Sequence, residues 1–201
     1  MKIPLRCRCG AVAGQADTAT GGLRVICHCD DCQAYASALG RPDVLDAWGG
    51  TDIWQTAPSQ VTVTRGTGQL RCLRLSEQGL MRWHTGCCAT PVGNGMASAG
   101  MPFIGLIHAF MDLDPAERDA ALGPPTRLHG RYATGVLPFP VHPKVPPGLM
   151  ARTLVFLLRG KLSGRHRPTP FFDAAGRPVV VPRVLGVAER EALRAGAGMA
   201  G

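Results

Sequence analysis

Seven of the eight cysteines in this chain fall into tight groups, and that grouping constrains the fold more than any other feature. Cys7 and Cys9 come first, then Cys27, Cys29 and Cys32, then Cys87 and Cys88, while Cys72 stands alone. A Cys-x-Cys pair makes a strained disulfide, since one intervening residue closes too small a ring. Zinc, by contrast, takes four soft or borderline ligands in a tetrahedron, and clustered thiolates with an imidazole suit it well. The groups offer enough ligands for one complete site and one incomplete site. An incomplete zinc site keeps a position open to water or substrate. Any fold adopted by the chain must carry residues some eighty positions apart into one ligand set.

With 201 residues, 45% hydrophobic and 18% charged, the chain is globular and long enough for one domain with an appendage. Residues 1–6 run directly into a ligand-like cysteine without an apolar stretch, so no signal peptide is expected. The longest strongly apolar run, Leu154 to Leu158, is far below the ~20 residues that span a bilayer, so no membrane partner is expected. A cytoplasmic location is the default expectation, and a reducing compartment favours thiolates over disulfides. The formal charge of +8 falls to about +6 once two zinc ions on six thiolates are counted. The basic residues are scattered, without a block of like charge, so no specific nucleic-acid partner is expected. Arg152, Arg159, Lys161, Arg165, His166 and Arg167 make the C-terminal part locally basic and read as a solvated face.

Local pattern predicts a mainly β chain. Leu5 to Val12 reads as a strand with Cys7 and Cys9 on one face, and Leu23 to Cys27 as a second strand entering a tight cysteine loop. A strand about Ile53, another at Val61–Thr64, and a hairpin-like pair at Leu70–Leu75 and Leu80–His84 follow. Gln33 to Ala38 reads as a short helical turn. Asp114-Pro115-Ala116-Glu117 is a helix start with an N-cap, a proline at N1 and a capping-box acid, and Gly123 ends the helix. Residues 124–148 are proline-rich and read as surface chain. Leu149–Lys161 can form a helix, Phe171–Val181 a hairpin, and Ala188–Arg194 a helical turn or two. The expected organisation is a zinc-binding β domain over 1–125 and a mixed C-terminal extension over 126–201, with a disordered tail from 195.

Two metal sites follow. Cys7, Cys9, His84 and Cys87 are expected to hold a closed structural zinc, with Cys88 the rival fourth ligand. His84 has the H-x-x-C spacing of a ligand pair, and adjacent residues such as Cys87 and Cys88 face opposite ways on extended backbone. Cys27, Cys29 and Cys32 supply three thiolates, with His28 between them directed away. A zinc held by three thiolates can accept an incoming thiol and lower its pKa. Asp30 and Asp31 are candidates for proton transfer beside that zinc. Cys72 reads as a buried small hydrophobe, and Trp48, Trp54 and Trp83 as core.

Cys7-Arg8-Cys9-Gly10, Cys27-His28-Cys29-Asp30-Asp31-Cys32 and Trp83-His84-Thr85-Gly86-Cys87-Cys88-Ala89-Thr90 together resemble the glutathione-dependent formaldehyde-activating enzymes, a family that includes the domain of centromere protein V. The resemblance covers about residues 5–112. It implies a β-tent of mostly antiparallel strands, a structural zinc joining the first and third motifs, and a second zinc on the middle loop that meets the glutathione thiol. His84 replaces the family's first late cysteine and Cys88 its glycine. The expected function is a zinc-dependent carbon–sulfur lyase acting on an adduct of glutathione or a related thiol. The alternative is a non-catalytic, zinc-stabilised binding module.

Overall fold

In the computed structural model, which describes residues 1–198, the chain is mainly β, with two sheets and a few helices. Strands β1 (Lys2–Arg6), β2 (Ala13–Asp17) and β5 (Val61–Arg65) form a three-stranded antiparallel sheet in that order. The larger sheet contains β3 (Leu23–Cys27), β4 (Thr51–Thr56), β6 (Leu70–Arg74), β7 (Met81–Thr85), β8 (Pro91–Gly95) and β9 (Ile104–Ile107). Short strands β10 (Thr126–Leu128) and β11 (Arg183–Val184) close its two edges, giving the order β10-β3-β4-β9-β8-β7-β6-β11. The edge strands pair in parallel with their neighbours, and every pairing between is antiparallel. Helices α1 (Asp30–Ala38), α2 (Pro115–Leu122), α3 (Pro147–Leu162) and α4 (Val187–Gly198) complete the chain.

Strand alternation sorts the core into two layers. Ile3 and Leu5 from the small sheet meet Trp54, Leu70, Met81, Trp83, Ile104 and Leu106 from the large one. Residues an odd number of positions along the same strands, Ile53, Leu73 and Ile107, face the opposite side and pack with Val25, Tyr35, Leu128 and Leu149 beneath the helices. Arg82 lies between Met81 and Trp83, so it too falls on the helix-covered face.

Several expectations need correction. The chain bends at Cys7 instead of running on as a strand to Val12: the Gly10 amide donates to the Cys7 carbonyl, and Gly10 has φ +76°. Strand β8 reads Pro-Val-Gly-Asn-Gly and lacks a β-rich pattern, yet it is fully buried between β7 and β9. A Cβ at Gly93 would lie 2.9 Å from the Gly105 carbonyl oxygen, so its glycine permits close strand approach. The proline-rich stretch contributes β10 to the sheet. Phe171–Val181 does fold back as a minimal hairpin, with one antiparallel bridge from Phe172 to Pro178 and the turn at Ala174–Gly176 closed by the Gly176 amide donating to the Asp173 carbonyl, but it joins neither sheet. Trp48 is half-buried, stacked edge-on against Phe139, whereas Trp54 and Trp83 are core. The tail expected to be disordered from Ala195 is helical through Gly198, in keeping with its alanines; residues 199–201 lie outside the described residues. Asp114 caps α2 as expected, accepting from the Glu117 amide while the Glu117 carboxylate accepts from the Asp114 amide. Among the described residues, no helix is long and apolar enough to cross a membrane.

Candidate metal centres

The first cluster joins the two sheets. The bend after β1 brings Cys7 and Cys9 against the turn after β7, where the Arg8 amide donates to Thr90 Oγ1 at 3.0 Å. The sulfurs of Cys7, Cys9, Cys87 and Cys88 all lie within 4.8 Å of one another. Cys7 Sγ is 3.6 Å from Cys9 Sγ and 3.9 Å from Cys87 Sγ, and Cys87 and Cys88 are 3.8 Å apart. A tetrahedron with metal–sulfur bonds of about 2.3 Å has edges of about 3.8 Å, so the four thiols fit a zinc-sized ion. The Val12 amide also donates to Cys7 Sγ at 3.2 Å, orienting that sulfur.

Cys88 occupies the place expected for His84. Residues 86–88 form a turn, not extended chain, and Ala89 takes φ +52°, so adjacent side chains converge. His84 remains on β7, paired with Arg71 and Pro91, and its Nδ1 lies 3.5 Å from the Arg82 carbonyl. Burial, the largest effect on it, lowers the pKa of that imidazole. Burial pushes the Cys87 thiol up to about 12. For Cys88, burial is outweighed by hydrogen bonding from Thr85, Thr90 and the Cys9 backbone, which bring it down to about 5.

The second cluster gathers Cys27, Cys29 and Cys32, with all sulfurs again within 4.8 Å. Cys27 ends β3, Cys29 is the N-cap of α1, and Cys32 sits in its first turn, its amide donating to the Cys29 carbonyl at 3.0 Å. Hydrogen bonding among the thiols raises Cys27 and lowers Cys32 well below the usual thiol range, with Arg82 helping Cys32. Burial alone would lower the pKa of Arg82; Cys32, Asp31 and Cys29 outweigh it and keep the guanidinium charged. His28 points away as expected, with Nδ1 3.3 Å from the Leu128 carbonyl.

A cavity of about 570 Å³ opens beside this cluster. Cross-strand pairing builds its floor: Arg82 faces Asn94, Asn94 faces Gly105, and Gly105 faces Gln55. Helix α3 supplies Leu149, Met150, Leu154 and Leu157 along one wall. Asp30 and Asp31 occupy the first turn of α1, and both pair with Arg194 of α4, at 3.4 Å for Asp30. Asp31 also lies 3.6 Å from Arg82 and lines the cavity. Cys72 is buried in the core away from both clusters, and burial pushes its thiol to about 12.

Sequence reading missed Arg82, Asn94 and Arg194. The alternation Met81-Arg82-Trp83 gave one signal, because it placed a charge opposite two core residues. Nothing local showed that α1 and α3 would cover that face.

Comparison with known proteins adds little beyond a family. No curated protein matches the chain. It is similar to the crystal structure of a Rhodobacter sphaeroides protein at 18% identity and a TM-score of 0.37, over 58% of this chain and 93% of that one, too low to carry any argument. The DUF6151 family, a family of unknown function, matches residues 1–182, and this chain belongs to it.

Proposed function

We propose that the chain holds two zinc ions with different duties and acts through the second as a carbon–sulfur lyase-like enzyme. Its substrate would be an adduct of glutathione or a related thiol. The observation that carries this reading is the contrast in ligand count: four thiols close one site, while three thiols sit beside a cavity at the other. The motif resemblance to the glutathione-dependent formaldehyde-activating enzymes, with the β-tent that it implies, points the same way.

Zinc on Cys27, Cys29 and Cys32 would supply a fourth position that favours the thiolate form of a thiol. Arg82, 3% exposed, places a permanent positive charge beside that position. Cleavage of a hemithioacetal-type adduct moves the hydroxyl proton off oxygen, forms the carbonyl, and leaves the bonding pair on sulfur. Asp31 is the carboxylate lining the cavity, so it is the group assigned to take that proton. The apolar wall of α3 limits water around the breaking bond.

Metal counting tests the reading. The purified protein should carry two zinc ions per chain, and an added thiol should change the absorption of a cobalt-substituted sample. If both metals are present and no thiol perturbs either, the chain is a zinc-stabilised binding module.

A further inference from the structure

The cavity beside the three-thiol cluster has a chemistry of its own. Its lining is largely apolar, with Val25, Ile53, Phe103, Leu128, Leu149 and Leu157 prominent. Met150 and Leu154 also line it and are 60% and 67% exposed, so they form an apolar mouth. Its volume of about 570 Å³ falls within the range of roughly 300–1,000 Å³ usual for small-ligand sites.

The charges are few, although Arg82 Nε and His129 Nδ1, both on the lining, are buried without a hydrogen-bond partner. Arg82 is the one Arg or Lys on the lining and Asp31 the one carboxylate; they lie 3.6 Å apart, and Asp31 is also held by Arg194. Glutathione brings two carboxylates and an ammonium. A cavity with one buried guanidinium can match one anionic head and leaves the other charges unpaired, which is costly in an apolar setting. At the sheet centre, Gly105 keeps the floor open: a Cβ there would lie 2.7 Å from Ile53 Cγ2.

We propose that this cavity binds a thiol, free or as its adduct, with an apolar alkyl or aromatic body and no second charge. The sulfur would face Cys27, Cys29, Cys32 and Arg82, and the body would run along Leu149, Leu157 and the mouth of α3. This inference rests on the open-position reading above and moves its substrate class away from glutathione, to a related but apolar thiol.

Calorimetric titration of the zinc-loaded full chain with ethane-, butane-, hexane- and octanethiol, and with glutathione, tests it. Affinity should rise roughly three- to fourfold per added methylene until the cavity is filled. Glutathione should bind at least tenfold more weakly than hexanethiol. The exposed-mouth variant Leu154→Gln should lower octanethiol affinity several-fold more than ethanethiol affinity. A flat response to chain length, or glutathione binding tighter than hexanethiol, overturns the inference while leaving the open-position reading standing. Failure of every thiol to bind overturns both.

Discussion

The two cysteine clusters are built from the same parts and arranged to opposite ends. Each combines the end of a strand with a tight turn. In the first, the bend after β1 and the turn after β7 belong to different sheets, so a metal held there would fasten sheet to sheet. In the second, all three thiols come from one short segment between β3 and α1, so they fasten little that the backbone does not already join. Both clusters adjoin a cavity with a buried arginine and carboxylates, but the one beside Cys7 is about 300 Å³ and lined by Arg6, Arg8, Arg41, Asp43 and Asp112, whereas the one beside the three thiols is about 570 Å³ and largely apolar. Ligands drawn from distant elements make a metal structural, because binding energy becomes folding energy. On the proposed reading, the three-thiol zinc does less to hold the fold and keeps a position open to substrate.

The largest expected effect breaks that comparison at its centre. Cys7→Ser removes a buried ligand whose sulfur also accepts the Val12 amide. It should cost more than about 4 kcal/mol, lowering the melting temperature by roughly 10 °C, and drop zinc from two ions to one. Cys32→Ser should also lose one zinc but cost only about 1–2 kcal/mol, because α1 stays anchored by the Tyr35 hydroxyl donating to the Trp83 carbonyl at 2.8 Å. Thermal melts with parallel metal counts decide the matter. Equal destabilisation by the two variants would erase the distinction between the sites.

A smaller effect separates the two rivals for the fourth ligand. His84→Ala should leave the zinc count unchanged and cost about 1 kcal/mol, the ordinary loss of a half-buried side chain. Cys88→Ser should lose the first-cluster zinc while leaving the thiol response of the second intact. Zinc retained in Cys88→Ser and lost in His84→Ala would return the ligand to His84.

Much of this was legible from local chemistry. Strand β3 falls on the expected residues, α2 begins and ends at its capping residues, and the three-thiol group comes together as its spacing requires. The misreadings share a cause. Cys7 and Cys9, and Cys87 and Cys88, were placed by the alternation of extended chain, but Gly10 and Ala89 adopt positive φ and turn the backbone. Positive φ is foreseeable at glycine and much less so at alanine. Strand β8 was invisible because proline and glycine carry no β pattern; only the closeness of β9 gives its glycines a purpose. The cavity depends on α3, whose long-range seat on the sheet leaves no local mark. Function was legible as ligand count, and ligand class became readable only once the face bearing Arg82 was covered.

The smallest expected effect sharpens the comparison from the outside. Among the described residues, only the three-thiol cluster has a C-terminal element ion-paired to its ligand loop: Arg194 of α4 pairs with Asp30 and Asp31, the residues between Cys29 and Cys32. These are partly exposed ion pairs, so Arg194→Ala should cost less than about 1 kcal/mol of stability. Its consequence should be local. Freed from Arg194, Asp31 can turn toward Arg82, and the first turn of α1 loses a tie that holds Cys32 in place. Zinc competition with a chromophoric chelator should show the second-site ion loosened by up to about tenfold and the first-site ion unchanged. Weakening of both sites alike would mean that α4 stabilises the whole sheet, and the independence of the two clusters would be lost.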